Sequence, residues 1–470
     1  MLNLYATAIE SGYCVLSKIS PCSAWTHFKE LQASQWLSHE QLSRRRWKKL
    51  KALLSFSYKN TPFYRNLWKK HGIDPQSFGS EKDMLMLPIV TKEELTGARE
   101  RGEFLLDRRG AYQMSSTSGT TGIRFNVPFT FSTYQKKYAN HLRQVYASGW
   151  RLGMKSATLH YSGHAQFKGT YDGQTHAREP YQWFREQALR VAHRRLVLTP
   201  YYEEWTGNDS LIESWYHQLK RYKPFLFETM DINILMLKDF IEKNNLPRLA
   251  IPKTFVLTTF SPRLKKILED FFHTEIFDRY SPHEMEGVAF ACQEHNGMHM
   301  AIDSYHIEFM DDNNQPAGPE EPAHLVITDL DNYLMPLIRY KIGDLGHYYE
   351  GLCGCGRGLP LMGEIDGRTR DCMVLKNGKK IPPSHITRLL QDEPSIRFFQ
   401  VLQNNDDPIT VNIVPHDTLF SRTVAENIKN TLQQVLGRDE NIAIVPVKNI
   451  KLETNGKYSF VKSKARVGIP

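Results

Sequence analysis

Residues 255–280 read FVLTTFSPRLKKILEDFFHTEIFDRY, and the order of textures in this stretch decides the fold. Phe255-Val256-Leu257 is a short apolar run of strand type, residues 262–272 carry a helical pattern, and a second strand ends near Tyr280. The alternation extends upstream. Leu196-Val197-Leu198 reads as a strand, 209–222 as a helix, Phe225-Leu226-Phe227 as a strand and 231–244 as a helix. Strand and helix in strict turn imply a mostly parallel sheet with helices on its faces, an α/β fold. Ligands of such sheets sit beyond the carboxyl ends of strands. Tyr280 and Ser115 both fall at expected strand ends, so one crevice can hold both.

Around this centre the texture changes twice. The first 110 residues look mainly helical, with Thr91 and Glu94 spaced as a capping box. Past residue 370, Lys376-Asn377-Gly378-Lys379 signals a hairpin. Ile409, Val411 and Ile413 alternate with polar residues as in a half-buried strand. Val424, Ile428, Leu432 and Val435 mark a helix that Gly437 ends, and two strands follow. The sequence therefore predicts a large domain over residues 1–367, a hinge at 368–371 and a small, mobile α+β domain over 372–470. A chain of 470 residues is too long for one ordinary core.

Composition narrows the function classes. With 41% hydrophobic and 24% charged residues the chain is of globular type, and no run approaches the ~20 apolar residues of a membrane span. The N-terminus lacks the basic and apolar regions of a signal peptide, so a cytoplasmic protein is expected. The net charge of +9 is partly local: Arg44, Arg45, Arg46, Lys48, Lys49 and Lys51 accompany Trp47, Leu50 and Leu54 at helical spacing. That pattern reads as an amphipathic helix with a solvated basic face rather than a nucleic-acid reader, since no recognition motif accompanies it. The excess also suits an enzyme handling polyanions such as nucleotides.

Ser115-Ser116-Thr117-Ser118-Gly119-Thr120-Thr121-Gly122 places six hydroxyls and two glycines in eight residues. Residues from 124 onward read as a strand, so the loop joins two strands. It lacks the lysine and the following helix of a GxxxxGK[ST] loop. Four further segments stand out: Tyr280-Ser281-Pro282-His283-Glu284, Arg339 to Asp344 closing another strand, Gly367 to Asp371, and Asn455-Gly456-Lys457. Singly, each reads as a turn acid or a surface base. Of the six cysteines, Cys353 and Cys355 are close together. With Cys292 and a histidine, His299 or His295, they read equally as buried thiols or as a metal site.

Taken in order, these motifs resemble the adenylate-forming, acyl-CoA synthetase-like superfamily. Asn60-Thr61-Pro62-Phe63-Tyr64-Arg65, the hydroxyl-rich loop, Glu284 to Asp303, Arg339 to Asp344 and Cys353-Gly354-Cys355-Gly356-Arg357 resemble its phenylacetate–CoA ligase and CapK-type branch. The resemblance implies ATP-dependent activation of a small carboxylic acid, then transfer to coenzyme A; a homodimer is compatible with it. Ser116, Thr117, Ser118, Gly119, Thr120, Thr121 and Gly122 would wrap the ATP phosphates, because glycines admit close N–H approach and hydroxyls donate without bulk. Tyr280 would lie near adenine, Asp344 on the ribose hydroxyls and Arg368 near ribose or phosphate. Glu284 would hold Mg2+, and Lys457 would reach the α-phosphate. The branch also implies a structural Zn2+ on Cys292, His299, Cys353 and Cys355. Two alternatives remain open: an adenylating enzyme that acylates a sugar, amine or carrier protein, and a non-catalytic nucleotide binder. The chain departs from the family pattern at Ser281, at His283, at Ile123 with Arg124, and at Thr258-Thr259-Phe260-Ser261.

Overall fold

The computed structural model describes residues 24–104, 112–116, 125–159, 170–171, 174–175, 194–198, 209–257, 260–404, 408–416, 419–451 and 458–464. Thr117 to Gly122, Tyr201, Tyr202, Thr258, Thr259 and Lys457 lie outside them. Helices α1 (Ala24–Ser34), α2 (His39–Asn60), α3 (Pro62–Lys70) and α4 (Lys92–Glu100) form the N-terminal part. The expected capping box is present: Thr91 accepts from Glu94 N, and the Glu94 carboxylate accepts from Thr91 N. The hairpin β1 (Tyr112–Ser116) and β2 (Asn126–Thr130) leads directly into α5 (Phe131–Ala147), whose N-cap is Thr130.

The alternating region follows the sequence expectation. Its elements are β3 (Ser156–Leu159), the short pair β4 (Thr170–Tyr171) and β5 (Gln174–Thr175), β6 (Arg195–Val197), α6 (Ser210–Tyr222), β7 (Leu226–Met230), α7 (Asp231–Lys243), β8 (Lys253–Leu257), α8 (Pro262–Phe272) and β9 (Glu275–Tyr280). In α8, Ser261 caps the start by accepting from Leu264 N at 3.1 Å, Pro262 supplies a preset φ, and Leu268, Phe271 and Phe272 face the core. Strands β9, β8, β7, β3 and β6 pair in parallel, in that order. Phe227, Phe255 and Phe277 are wholly buried, as sheets covered on both faces require. Trp215 and Tyr216 on α6 are core residues too.

Beyond β9 the same sheet continues antiparallel through β10 (Ala289–Ala291), β11 (Met298–Met300), β12 (Tyr305–Met310), β13 (Ala323–Asp329), β14 (Tyr340–Tyr348) and β15 (Leu361–Arg368). The eleven strands run β12-β13-β14-β15-β11-β10-β9-β8-β7-β3-β6. One sequence expectation is corrected here: Asp344 sits inside β14, not at its end. Val326 pairs with Lys341 and His324 with Leu345, so Ile342, Gly343 and Asp344 bulge against Leu325 alone. Gly343, at φ +90°, makes that excursion available.

The basic face of α2 also differs from the expectation. Arg44, Arg45, Lys48 and Lys51 are exposed, but Arg46 pairs with Glu81 at 2.5 Å and Lys49 donates to the Asp303 carbonyl at 2.7 Å. Long basic side chains at the edge of an apolar stripe can turn inward where a carbonyl or carboxylate awaits them.

The C-terminal part comprises β16 (Met373–Val374), β17 (Lys380–Ile381), α9 (Pro383–Gln391), β18 (Ile396–Gln403), β19 (Ile409–Pro415), α10 (Arg422–Leu436), β20 (Ile442–Pro446) and β21 (Val461–Ser463). Its four-stranded sheet, ordered β20-β19-β18-β21, has its own core of Ile386, Val401, Val411, Ile413, Leu432 and neighbours. Gly378 turns the β16–β17 hairpin at φ +81°, and Gly437 ends α10. Arg397 grips Asp239 of α7 with two bonds of 2.6 Å, while Phe398, Val414 and Ile450 join the core beneath α7 and α8.

Candidate active site and cysteine–histidine centre

Three segments far apart in sequence meet where the two halves of the sheet join. Tyr280, the last residue of β9, is 6% exposed and donates its hydroxyl to Asp344 Oδ2 at 2.7 Å. The β14 bulge releases Asp344 from the β13 ladder and sets it opposite Arg368 on β15. The Arg368 Nε lies 3.5 Å from Asp344 Oδ1. Glu284 follows β9 by four residues and is buried, and the hydroxyl of Tyr340 donates to its Oε1 at 3.3 Å. Burial, with Asp344 nearby, raises the Glu284 carboxyl above its ordinary value. Burial and the same carboxylate push Tyr280 well up, so it stays a neutral donor.

The segment carrying Glu284 is held by residues that sequence reading missed. Lys137 of α5 donates to the Glu284 carbonyl at 3.1 Å while paired with Asp329 at 2.9 Å. Ser281 donates to Glu286 Oε1 and accepts from Gly287 N, each at 2.8 Å. Gly287 is in the left-handed region at φ +73°, and a Cβ there would lie 2.7 Å from Asn140 Cβ. The Tyr305 hydroxyl donates to the Glu286 carbonyl at 2.7 Å. Short-range spacing carries no trace of these long-range partners.

The hydroxyl-rich loop does join two strands, as expected. Tyr112 pairs with Thr130 and Ser116 with Asn126, antiparallel. Asn60-Thr61-Pro62 caps and opens α3, and buried Tyr64 donates to the Pro336 carbonyl at 2.9 Å while accepting from Ile338 N at 3.0 Å. Tyr64 thereby anchors the turn that leads into β14.

A second cluster forms just after β10, on β11 and in the loop before β15. The donor atoms of Cys292, His299, Cys353 and Cys355 all lie within 4.8 Å of one another. Cys292 Sγ is 3.7 Å from Cys353 Sγ, and Cys355 Sγ is 3.4 Å from His299 Nε2. A tetrahedron with Zn–S bonds of ~2.3 Å has S···S edges of ~3.8 Å, so the separation fits a zinc ion. His299 Nδ1 bonds the Leu359 carbonyl at 3.2 Å, which leaves Nε2 with its lone pair toward the thiols. His295 is occupied elsewhere, 2.9 Å from Glu275. The loop is docked on the N-terminal helices: Gly358 N donates to the Gln35 carbonyl, and a Cβ on Gly358 would collide with the Leu37 carbonyl.

Residues 373–464 match the CapK C-terminal domain family. Phenylacetate-coenzyme A ligase of Thermus thermophilus is 25% identical over 367 residues, covering 77% of each chain. The Pseudomonas putida protein of the same name is 25% identical over 392 residues, covering 80% of this chain and 81% of its own. Among solved structures, 2-hydroxyisobutyryl-CoA ligase in the postadenylation state with R3-HIB-AMP superposes with a TM-score of 0.74. That match is 17% identical and covers 92% of this chain and 91% of the other, so it speaks for the fold.

Proposed function

We propose that the chain works as an AMP-forming acid–thiol ligase of the phenylacetate–CoA ligase and CapK branch of the adenylate-forming enzymes, a reading supported by its similarity to the phenylacetate-coenzyme A ligases and to the CapK C-terminal domain. A carboxylate oxygen of the acid attacks the α-phosphorus of ATP, pyrophosphate leaves, and the acyl-adenylate forms. The thiol sulfur of coenzyme A then attacks the acyl carbon, AMP leaves with the bridging oxygen, and the thiol proton passes to solvent. Such phosphoryl chemistry asks the protein for positioning and charge neutralisation.

The observation that carries the reading is the Tyr280–Asp344–Arg368 network beside buried Glu284, assembled from distant segments. Asp344 would turn from Tyr280 to the ribose hydroxyls, with Tyr280 beside adenine and Arg368 near ribose or phosphate. Glu284 would hold Mg2+, which supplies charge neutralisation on the phosphates; a buried carboxylate whose ionisation burial disfavours fits a cation partner. Ser116 and Thr117 to Gly122 would cradle the phosphates, and Lys457 would reach the α-phosphate when the small domain closes about a hinge at 368–371. Cys292, His299, Cys353 and Cys355 would hold Zn2+ in a closed, structural set that offers no open position. A cytoplasmic setting accords with Cys292, Cys353, Cys355 and Cys372, which are free thiols among the described residues. Among the described residues no helix is long and apolar enough to cross a membrane.

A second reading keeps the adenylation step and passes the acyl group to a sugar, amine or carrier protein instead of coenzyme A. Both are tested by screening carboxylic acids for acid-dependent pyrophosphate release, with and without coenzyme A. Release accompanied by thioester supports the first reading. Release with no thioester supports the second, and no release with any acid counts against both.

A further inference from the structure

The entry of β14 is braced from several directions, and the braces meet on one side chain. Arg339, just before the strand, is buried and stands in the left-handed region at φ +48°. A non-glycine residue keeps such a conformation where its surroundings over-determine it. Here they do. Arg339 N donates to Thr328 Oγ1 at 2.9 Å, and the guanidinium pairs with Glu308 at 3.0 Å and donates to the carbonyls of Leu85 and Leu87. Val90 forms a parallel bridge with Tyr340 from the other side: Val90 N donates to the Arg339 carbonyl and Lys341 N to the Val90 carbonyl, each at 2.9 Å. Tyr340, the first residue of β14, is 1% exposed between these contacts. Its ring packs against Phe125 with centroids 5.6 Å apart, and its hydroxyl donates to Glu284 Oε1 at 3.3 Å. Phe125 comes three residues after Gly122, the end of the hydroxyl-rich loop, so one side chain touches both the root of that loop and the buried carboxylate. Among the described residues no other side chain bonds the Glu284 carboxylate. Lys137 of α5 holds the Glu284 carbonyl, so different elements fix the main chain and the side chain of this residue.

Resting on the reading that Glu284 holds Mg2+, we propose that Tyr340 is the positioning residue for that carboxylate and ties its orientation to the hydroxyl-rich loop. A glutamate side chain is long and rich in rotamers, and ordering it as a cation arrives costs affinity. A hydroxyl that already holds Oε1 removes part of that cost and leaves Oε2, which no described side chain engages, to the cation. Tyrosine suits the task. Its ring is stiff, and its hydroxyl donates without bringing charge, so it does not compete with the cation as a lysine or arginine would. Partners of this kind behind a ligand set metal affinity by roughly 10–100-fold. Tyr340 acts through Glu284 and is not itself a catalytic residue. The braces on Arg339 and Val90 belong to the same device, because they fix the backbone from which the tyrosine reaches.

The test is Tyr340→Phe, which keeps the ring against Phe125 and deletes only the hydroxyl. ATP affinity is measured by calorimetry in Mg2+ and in EDTA for wild type, Tyr340→Phe, Glu284→Gln and the double variant, with thermal unfolding to check folding. The ratio of the two affinities isolates the metal's contribution and needs no knowledge of the acid. Tyr340→Phe should lower that ratio by roughly 10-fold and leave the affinity in EDTA unchanged. It should add nothing in the Glu284→Gln background, because the two groups act as one unit. A hydroxyl that serves only the fold would lower the melting temperature and leave the ratio where it was. That result, set against a lowered ratio in Glu284→Gln, overturns the proposal while the reading of Glu284 stands. An equal loss in both backgrounds also overturns it, since Tyr340 would then act independently of Glu284. An unchanged ratio in Glu284→Gln removes Glu284 from the cation, and this inference with it.

Discussion

The two side-chain clusters at the middle of the sheet are built on opposite plans. Around Tyr280, Glu284 and Asp344 the groups are polar or charged and borrowed from three strands or their extensions, and among the described residues Glu284 is bonded by one side chain, the Tyr340 hydroxyl, at 3.3 Å. Around Cys292, His299, Cys353 and Cys355 the donors face one another, His299 is fixed from behind by Leu359, and the loop is clamped to the N-terminal helices through Gln35. The first arrangement leaves capacity for charges that arrive and depart. The second leaves none. A site that must bind, react and release keeps strained or under-compensated groups, whereas a site that only holds the fold closes on itself.

Breaking the closed cluster should have the largest effect. Cys353→Ser is expected to abolish stoichiometric zinc and to destabilise the large domain by several kcal/mol, because structural metal binding is folding energy. Metal analysis and thermal unfolding with and without chelator check this; a variant as stable as wild type, or wild type without zinc, would remove the contrast.

Removing a charge from the open cluster, or the lysine proposed to reach it, should spare the fold and slow the chemistry. Lys457→Ala is expected to lower pyrophosphate release by about 10²–10³-fold while ATP still binds. Glu284→Gln should act similarly and also reshape the pH profile. Its carboxyl is raised above the ordinary value of 4.5, so falling pH neutralises it earlier than an exposed glutamate and weakens Mg2+-dependent turnover. The acid limb of kcat/KM should then lie above that value in wild type and vanish in the variant.

Smaller effects sharpen the division of labour inside the open site. Asp344→Ala should weaken nucleotide binding by roughly 2–4 kcal/mol, the worth of two ribose hydrogen bonds to a carboxylate, as read by calorimetry. Tyr280→Phe, which removes only the hydroxyl that occupies Asp344 at 2.7 Å, should change nucleotide affinity by no more than about 1 kcal/mol. If Tyr280→Phe were the costlier change, Asp344 would be a structural partner of the tyrosine and not a ribose ligand.

The two plans also differ in how far the sequence reveals them. The parallel strands and α8 are legible because apolar runs and amphipathic turns alternate without interruption, and α8 spans 262–272 as expected. The cysteines are legible only as a candidate group, since residue type leaves buried thiols and a metal site equal; geometry then brings the four donors together and separates His299 from His295. The placement of Asp344 is not legible, since it depends on a three-residue bulge matched to Leu325 across the sheet. Nor is the bracing of Tyr340, whose partners Val90, Phe125 and Glu284 come from three other segments. The antiparallel half likewise lacks the helix–strand alternation that marks the other.

The central claim, that the acid is activated as its adenylate, is tested most directly by oxygen transfer. A substrate acid labelled with 18O in its carboxylate is incubated with ATP, Mg2+, coenzyme A and the protein, and the nucleotide product is examined by mass spectrometry. The account predicts AMP carrying a single 18O, because the carboxylate oxygen that attacks the α-phosphorus stays on phosphorus when the thiol takes the acyl group. Unlabelled AMP, or ADP with the label in inorganic phosphate, would contradict it.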